Sequence, residues 1–148
     1  QTPVKGIEKL RQSSLPFNKY IKNTSNCYEL NLKLEGEMVH ELILFSDKDG
    51  NGLSLIFNLV DGEVVVDRSK VGENFATEFS SVRTAPIAPA DTTARIFIDN
   101  SVFEIFINDG EMVFSGRVFP REDQTHISIL QVDPTGVYYP LLTFTNPN

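Results

Sequence analysis

The stretch SDKDGNGLSLIFN, residues 46–58, decides between two kinds of fold. Its DKDGNG hexamer opens like a calcium-binding helix–loop–helix, in which oxygens come from loop positions 1, 3 and 5, glycine sits at 6, and a bidentate Glu closes the site at 12. Asp47, Asp49, Asn51 and Gly52 fill the first four roles. The twelfth residue is Asn58, a neutral amide that lacks the closing carboxylate. The flanks ELILF (Glu41 to Phe45) and LSLIF (Leu53 to Phe57) are short, bulky and apolar. Leu53, Leu55, Phe57 and Leu59 alternate with Ser54, Ile56 and Asn58, close to the period of two that marks a strand. Asp, Gly and Asn tolerate the left-handed backbone of a tight reversal, so the hexamer reads as the turn of a β-hairpin. Asp47, Asp49 and Asn51 stay as a minor calcium candidate.

The same pattern extends in both directions. From Tyr28 onward Leu30, Leu32 and Leu34 alternate with Asn31 and Lys33 before Glu35-Gly36 interrupts. Further strands are expected at 39–45, 53–59, 63–67, 94–98, 102–107, 112–119, 126–132 and 137–145. Asp61-Gly62, Asp99-Asn100 and Asn108-Asp109-Gly110 supply reversals between them. Pro86 and Pro89 make residues 84–93 a loop or edge segment, because proline cannot donate to a central ladder. No long amphipathic helix is present. Many short strands in a chain of this length predict an all-β domain of two packed antiparallel sheets, a lectin-like or concanavalin-like jelly roll, with a closed barrel as the alternative.

Ahead of these strands, Val4, Ile7 and Leu10 recur at helical spacing behind Pro3, enough for about one turn. Residues 1–25 read as a linker or arm, and 26–148 as the sandwich. Starting at Gln1, with no initiating Met and no apolar leader segment, the chain reads as an excised piece or a processed product. Asn23-Thr24-Ser25 is a glycosylation sequon that reads equally as a polar turn.

The 148 residues suit one domain, large enough to bury about 70% of the unfolded surface without a metal or disulfide. No apolar run approaches the length of a bilayer-spanning helix, so no membrane partner is expected. A net charge of -7 without a Lys/Arg cluster argues against a nucleic-acid partner. Cys27 is the one cysteine, so an internal disulfide is excluded and a buried thiol is expected.

Chemistry-bearing patterns are sparse. His40 and His126 sit in strand-like runs without neighbouring metal ligands. There is no GxSxG elbow and no phosphate-cradling GxxxxGK, and no cofactor is expected. A glycosidase needs two carboxylates facing across a cleft. Glu104, Asp109 and Glu111 are the available set, but Glu104 alternates with Phe103 and Ile105 and reads as an acid paired to Arg95 or Arg117, while Asp109 and Glu111 belong to a turn. Tyr138 and Tyr139 are the aromatics placed to stack on a sugar.

Three segments, DRSKVG (Asp67 to Gly72), ARIFIDNSVFEIFINDGE (Ala94 to Glu111) and FSGRVFP (Phe114 to Pro120), arrive in an order that resembles the C-terminal β-sandwich module of glycoside hydrolase family 32. That family includes invertases, levanases, inulinases and bacterial sucrose-6-phosphate hydrolases. QTPVKGIEKLR is similar to the segment that links the family's catalytic propeller to the sandwich, so the resemblance covers essentially the whole chain. It implies an N-terminal five-bladed β-propeller carrying the active site of a retaining β-fructofuranosidase, of the sucrose-6-phosphate hydrolase kind, with this module supporting the propeller and contributing to a homodimer. It also implies a bacterial cytoplasmic setting, with levanases marking an extracellular alternative.

The family's catalytic Asn-Asp-Pro-Asn, Arg-Asp-Pro and Glu-Cys motifs are absent here. Asn108-Asp109-Gly110 lacks the proline, Val132-Asp133-Pro134 lacks the arginine, and Cys27 follows Asn26. No catalytic residue is carried over. Asp67, Arg68, Ser69 and Gly72 match the first block, Asp99, Ser101 and Glu104 the second, and Arg117 lies in the third. Their expected part is structural, with Arg68 or Arg117 pairing Asp67, Asp99 or Glu104 to pin loops between the sheets. A rival expectation from the binding class is a free-standing lectin-like module holding fructan, sucrose or another glycan near Tyr138 and Tyr139.

Overall fold

Where apolar and polar residues alternate, this chain forms strands, and the alternation sorts each strand into a wet face and a dry one. The computed structural model describes residues 15–16, 20–21, 26–72, 82–129 and 135–140, with 15–16, 20–21, 129 and 135–140 described by their backbone alone. In chain order the strands are β1 (Leu15–Pro16), β2 (Tyr20–Ile21), β3 (Cys27–Leu34), β4 (Val39–Ser46), β5 (Leu53–Asn58) and β6 (Glu63–Asp67), followed by β7 (Val82–Pro86), β8 (Thr92–Asp99), β9 (Val102–Ile107), β10 (Met112–Arg117), β11 (His126–Ile129) and β12 (Thr135–Pro140). No helix occurs among the described residues, and none there is long and apolar enough to cross a membrane.

All pairings are antiparallel, in two six-stranded sheets ordered β1-β12-β3-β8-β9-β10 and β2-β11-β4-β5-β6-β7. The sheets stay separate, so the fold is the sandwich and not the closed barrel. Two short strands, β1 and β2, come from the stretch read as an arm, and each joins the edge of one sheet. The expected strand at 137–145 is described as β12, from 135 to 140, and the helical turn expected at Val4 to Leu10 lies outside the described residues.

Leu30, Leu32 and Leu34 of β3, Ile96 and Ile98 of β8, and Phe103, Ile105 and Ile107 of β9 face Leu42 and Leu44 of β4, Leu53, Leu55 and Phe57 of β5, and Val64 and Val66 of β6 in one continuous core. Burying each such side chain contributes roughly 1.5–3 kcal/mol. A smaller apolar group, Cys27, Phe97 and Phe106 with Val113, lies on the other face of the first sheet. Phe97 and Phe106 meet edge to face, with ring centroids 6.0 Å apart and planes at 82°.

One irregularity shapes the end of the sandwich where the DKDGNG loop lies. Against β11, Ser46 pairs with His126 but Ile43 pairs with Ser128, which inserts one extra residue in β4. Phe45 absorbs the kink at φ 49, a left-handed conformation that costs a bulky residue about 1–3 kcal/mol. The kink turns Phe45 into the same core as Leu44, and full burial of its ring offsets the strain. It also brings the Leu44 and Phe45 carbonyls against Gly52, where a Cβ would stand 2.5 and 2.6 Å from them. The glycine of the hexamer is thus required by a close approach of two backbones. Loops 47–52, 68–72, 99–101 and 118–125 converge at this end.

Candidate functional site

The loop end is organised around Gln124, a fully buried side chain with all four of its hydrogen bonds made. Its Oε1 accepts from the backbone N–H of Gly72 at 2.8 Å and of Arg121 at 2.9 Å. Its Nε2 donates to the carbonyls of Asn51 and Lys70, both at 3.0 Å. The Gln124 carbonyl accepts from Asn26 Nδ2 at 3.0 Å. Asn26, the hairpin loop, the 68–72 loop and the segment after β10 are therefore tied to one residue. Burying an amide is tolerated only when it is satisfied in this way.

Beside it stands an ion pair. Asp47, buried like Gln124, accepts at Oδ1 from the N–H groups of Asp49 (2.8 Å) and Asn51 (2.9 Å), and at Oδ2 from Asn51 Nδ2 (3.3 Å) and Arg121 Nη2 (2.6 Å). Burial alone would push the Asp47 carboxyl up, but the Asn51 and Asp49 N–H groups, the Asn51 amide and the Arg121 charge together hold it below its ordinary value. Arg121 also reaches Asp123 at 3.4 Å.

This settles where the calcium-like residues point. Asp47 is spent on its own loop and on a guanidinium, Asp49 is exposed, and Asn51 serves as a tie to Gln124 and Asp47. Among the described residues no cluster of three or more His, Cys, Asp or Glu is placed to hold a metal ion. His40 is buried, with Nε2 donating to the Glu35 carbonyl at 3.1 Å, and His126 sits half-buried on β11. Cys27 is buried, and burial first and Asp99 second push its thiol pKa up, away from the reactive thiolate.

The blocks matched to the family meet at this same end. Asp67 Oδ1 accepts from Ser69 N–H at 2.8 Å and closes a local turn. Gly72 has φ 87, donates to Gln124, and leaves room for the Phe119 carbonyl, 2.7 Å from where its Cβ would stand. Asp99 accepts from the side chain of Asn100, whose N–H donates to the Asn26 carbonyl at 2.6 Å. The Ser101 carbonyl accepts from Val118 N–H at 2.7 Å.

The arginines take other partners than expected. Arg68 Nη1 donates to the backbone carbonyl of Arg117 at 3.3 Å, with no carboxylate among its described partners. The reason is that β10 is an edge strand, with carbonyls left open to side chains. Arg83 does the same at the Ser115 carbonyl, at 2.9 Å. Arg95 pairs with Glu29 at 3.0 Å and not with Glu104. Both acids lie diagonal to it, on β3 and β9, and Glu29 is fully buried whereas Glu104 is exposed, so desolvation decides the choice. Arg95 also lies over the Phe97 ring, 5.2 Å from its centroid.

Asn108, Asp109 and Gly110 have φ of 51, 58 and 92, which explains their residue types by backbone geometry. The nearby pocket of about 230 Å³ is lined by Pro86, Ile87, Ile107, Asn108, Glu111 and Met112, and Glu111 is the sole acid in its lining. It holds no facing pair of carboxylates. Tyr138 and Tyr139 lie on β12, in backbone register with Leu30 and Glu29, and their side chains lie outside the described residues. Gln124 and Arg121 escaped sequence reasoning, since neither belongs to a motif.

Comparison with known proteins identifies the family. Residues 3–140 match the family model for the C-terminal part of glycosyl hydrolases family 32. The chain is 45% identical over 141 residues to a sucrose-6-phosphate hydrolase of Streptococcus mutans, covering 95% of this chain and 29% of that protein. It is 35% identical over 121 residues to another from Vibrio alginolyticus, covering 80% of this chain and 24% of that one. The solved sucrose-6-phosphate hydrolase of Lactobacillus gasseri superposes with a TM-score of 0.87 at 30% identity, over 97% of this chain and 31% of that one. The exo-inulinase of Aspergillus awamori shares the fold, with a TM-score of 0.75 at 17% identity over 93% of this chain and 31% of that one. The chain thus spans less than a third of each of these four relatives. A sandwich with its polar residues spent on loop anchoring, matched nearly end to end by one family's C-terminal model, belongs to glycoside hydrolase family 32 as the C-terminal domain of that family.

Proposed function

We propose that this domain is the non-catalytic partner of an N-terminal catalytic propeller in the same chain, and that the whole enzyme hydrolyses terminal β-fructofuranosides, with sucrose 6-phosphate as the substrate class. The observation that supports this reading most is the pattern of likeness. Resemblance to sucrose-6-phosphate hydrolases runs through nearly all of this chain yet accounts for under a third of theirs. The internal chemistry agrees with a supporting role, because the described buried acids, Asp47 and Glu29, are each neutralised by an arginine. A cytoplasmic setting goes with the same reading.

Sequencing the coding region ahead of Gln1 tests it. An open frame covering the remaining seven-tenths of such a protein, with the family's two catalytic Asp motifs and its Glu motif, is the expected result. A start codon close to Gln1 overturns it.

A further inference from the structure

Phe119 is 74% exposed, more than Met38, Val60 or Val82, the other large apolar residues in water among the described residues. Exposed apolar side chains are ordinary taken singly. The backbone that presents Phe119 is not. The Arg117 carbonyl accepts from Arg68, Val118 N–H donates to the Ser101 carbonyl, the Phe119 carbonyl packs against Gly72, and Arg121 N–H donates to the buried Gln124. The segment from 117 to 121 is thus tied to the 68–72 loop at Arg68 and Gly72, to the 99–101 loop at Ser101, and back onto itself at Gln124. An aromatic ring on a fixed backbone loses little further freedom on docking. Arg117 is exposed beside it, and among the described residues its guanidinium makes no ion pair. A rigid aromatic flanked by arginine is the composition of an interface anchor.

Resting on the reading above, we propose that Phe119 and Arg117 are the anchor that seats this sandwich on the preceding part of its own chain, the ring entering an apolar pocket and the guanidinium meeting a carboxylate at its rim. The occupant follows from the comparisons. The matched family model is a C-terminal one, and the relatives carry more than twice this chain's length beyond the matched region. Contacts between domains of one chain resemble transient protein–protein interfaces, and an exposed aromatic beside an arginine suits such a contact.

Hydroxyl-radical footprinting of the longer chain, read by mass spectrometry, tests the proposal. Met38 and Val60, exposed at the opposite end, serve as internal references. Phe119 is expected to oxidise at least about fivefold more slowly in the folded longer chain than in the same chain unfolded in urea, as a ring in a dry interface does, while Met38 and Val60 stay reactive. Oxidation of Phe119 in the folded longer chain at close to its own unfolded rate overturns the proposal. Protection that vanishes on dilution also overturns it, because the cover is then a second copy. Phe119→Ser should lower the thermal midpoint of the longer chain, whereas Met38→Ser should leave it unchanged, and equal midpoints for the two variants contradict the anchor. Absence of an upstream frame is a separate result that removes the functional reading itself.

Discussion

Arg121 Nη2 donates to Asp47 Oδ2 at 2.6 Å, across 74 residues of sequence, and this bond joins the β4–β5 hairpin to the segment that follows β10. Because Asp47 is buried and its carboxylate accepts three further hydrogen bonds, the pair works as part of a network and not as a surface ion pair.

The pH dependence of stability follows from the lowered carboxyl pKa of Asp47. In the unfolded chain it titrates near 3.8, and in the fold it titrates lower. Its contribution is therefore complete above the unfolded value and disappears as pH falls through the folded one. Chemical denaturation of Asp47→Asn should show a lower midpoint at neutral pH and a shallower further loss below about pH 4 than the unmodified chain. An identical acid limb in the two proteins would show that Asp47 carries none of this linkage.

Gln124 has no replacement that satisfies the same four groups. Gln124→Ala strands two N–H donors and two carbonyls, and a cost of about 3–5 kcal/mol in unfolding free energy is expected. Gln124→Glu should be at least as damaging at neutral pH, since a carboxylate oxygen then faces the Asn51 and Lys70 carbonyls. Partial recovery of the Glu variant on acidification, measured by urea titration, separates lost hydrogen bonds from lost volume.

Gly72→Ala should cost about 2 kcal/mol or more, because φ 87 is unfavourable for alanine and the new Cβ would meet the Phe119 carbonyl. Arg68→Ala should cost less than about 1 kcal/mol, since it removes one exposed 3.3 Å bond to a carbonyl that water can replace. Thermal unfolding of the two variants ranks them, and the reverse order would contradict the geometry.

Strand after strand was legible from local alternation, as in Leu53, Leu55 and Phe57, because burial on one face leaves a period-two trace. The bulge at Phe45 left no such trace, for nothing local distinguishes a phenylalanine at φ 49 from one in a regular strand. The matched blocks at 67–72, 99–104 and 114–120 were legible as places, and the structure brings them to one end. Their bonding was not, since sequence pairs opposite charges by composition, whereas Arg68 found an open edge-strand carbonyl and Arg95 chose the more buried of two acids. Gln124 was invisible for the same reason: apart from its near neighbour Arg121, its partners at 51, 70 and 72 become neighbours only when the loops close.

Fructose release from sucrose 6-phosphate, measured side by side for the purified 148-residue chain and for the longer chain proposed to carry it behind a catalytic domain, tests the central claim most directly. The account predicts turnover by the longer chain and none above background by the sandwich alone. Turnover by the 148-residue chain at a comparable rate would contradict it, because the catalytic carboxylates would then have to lie within the sandwich.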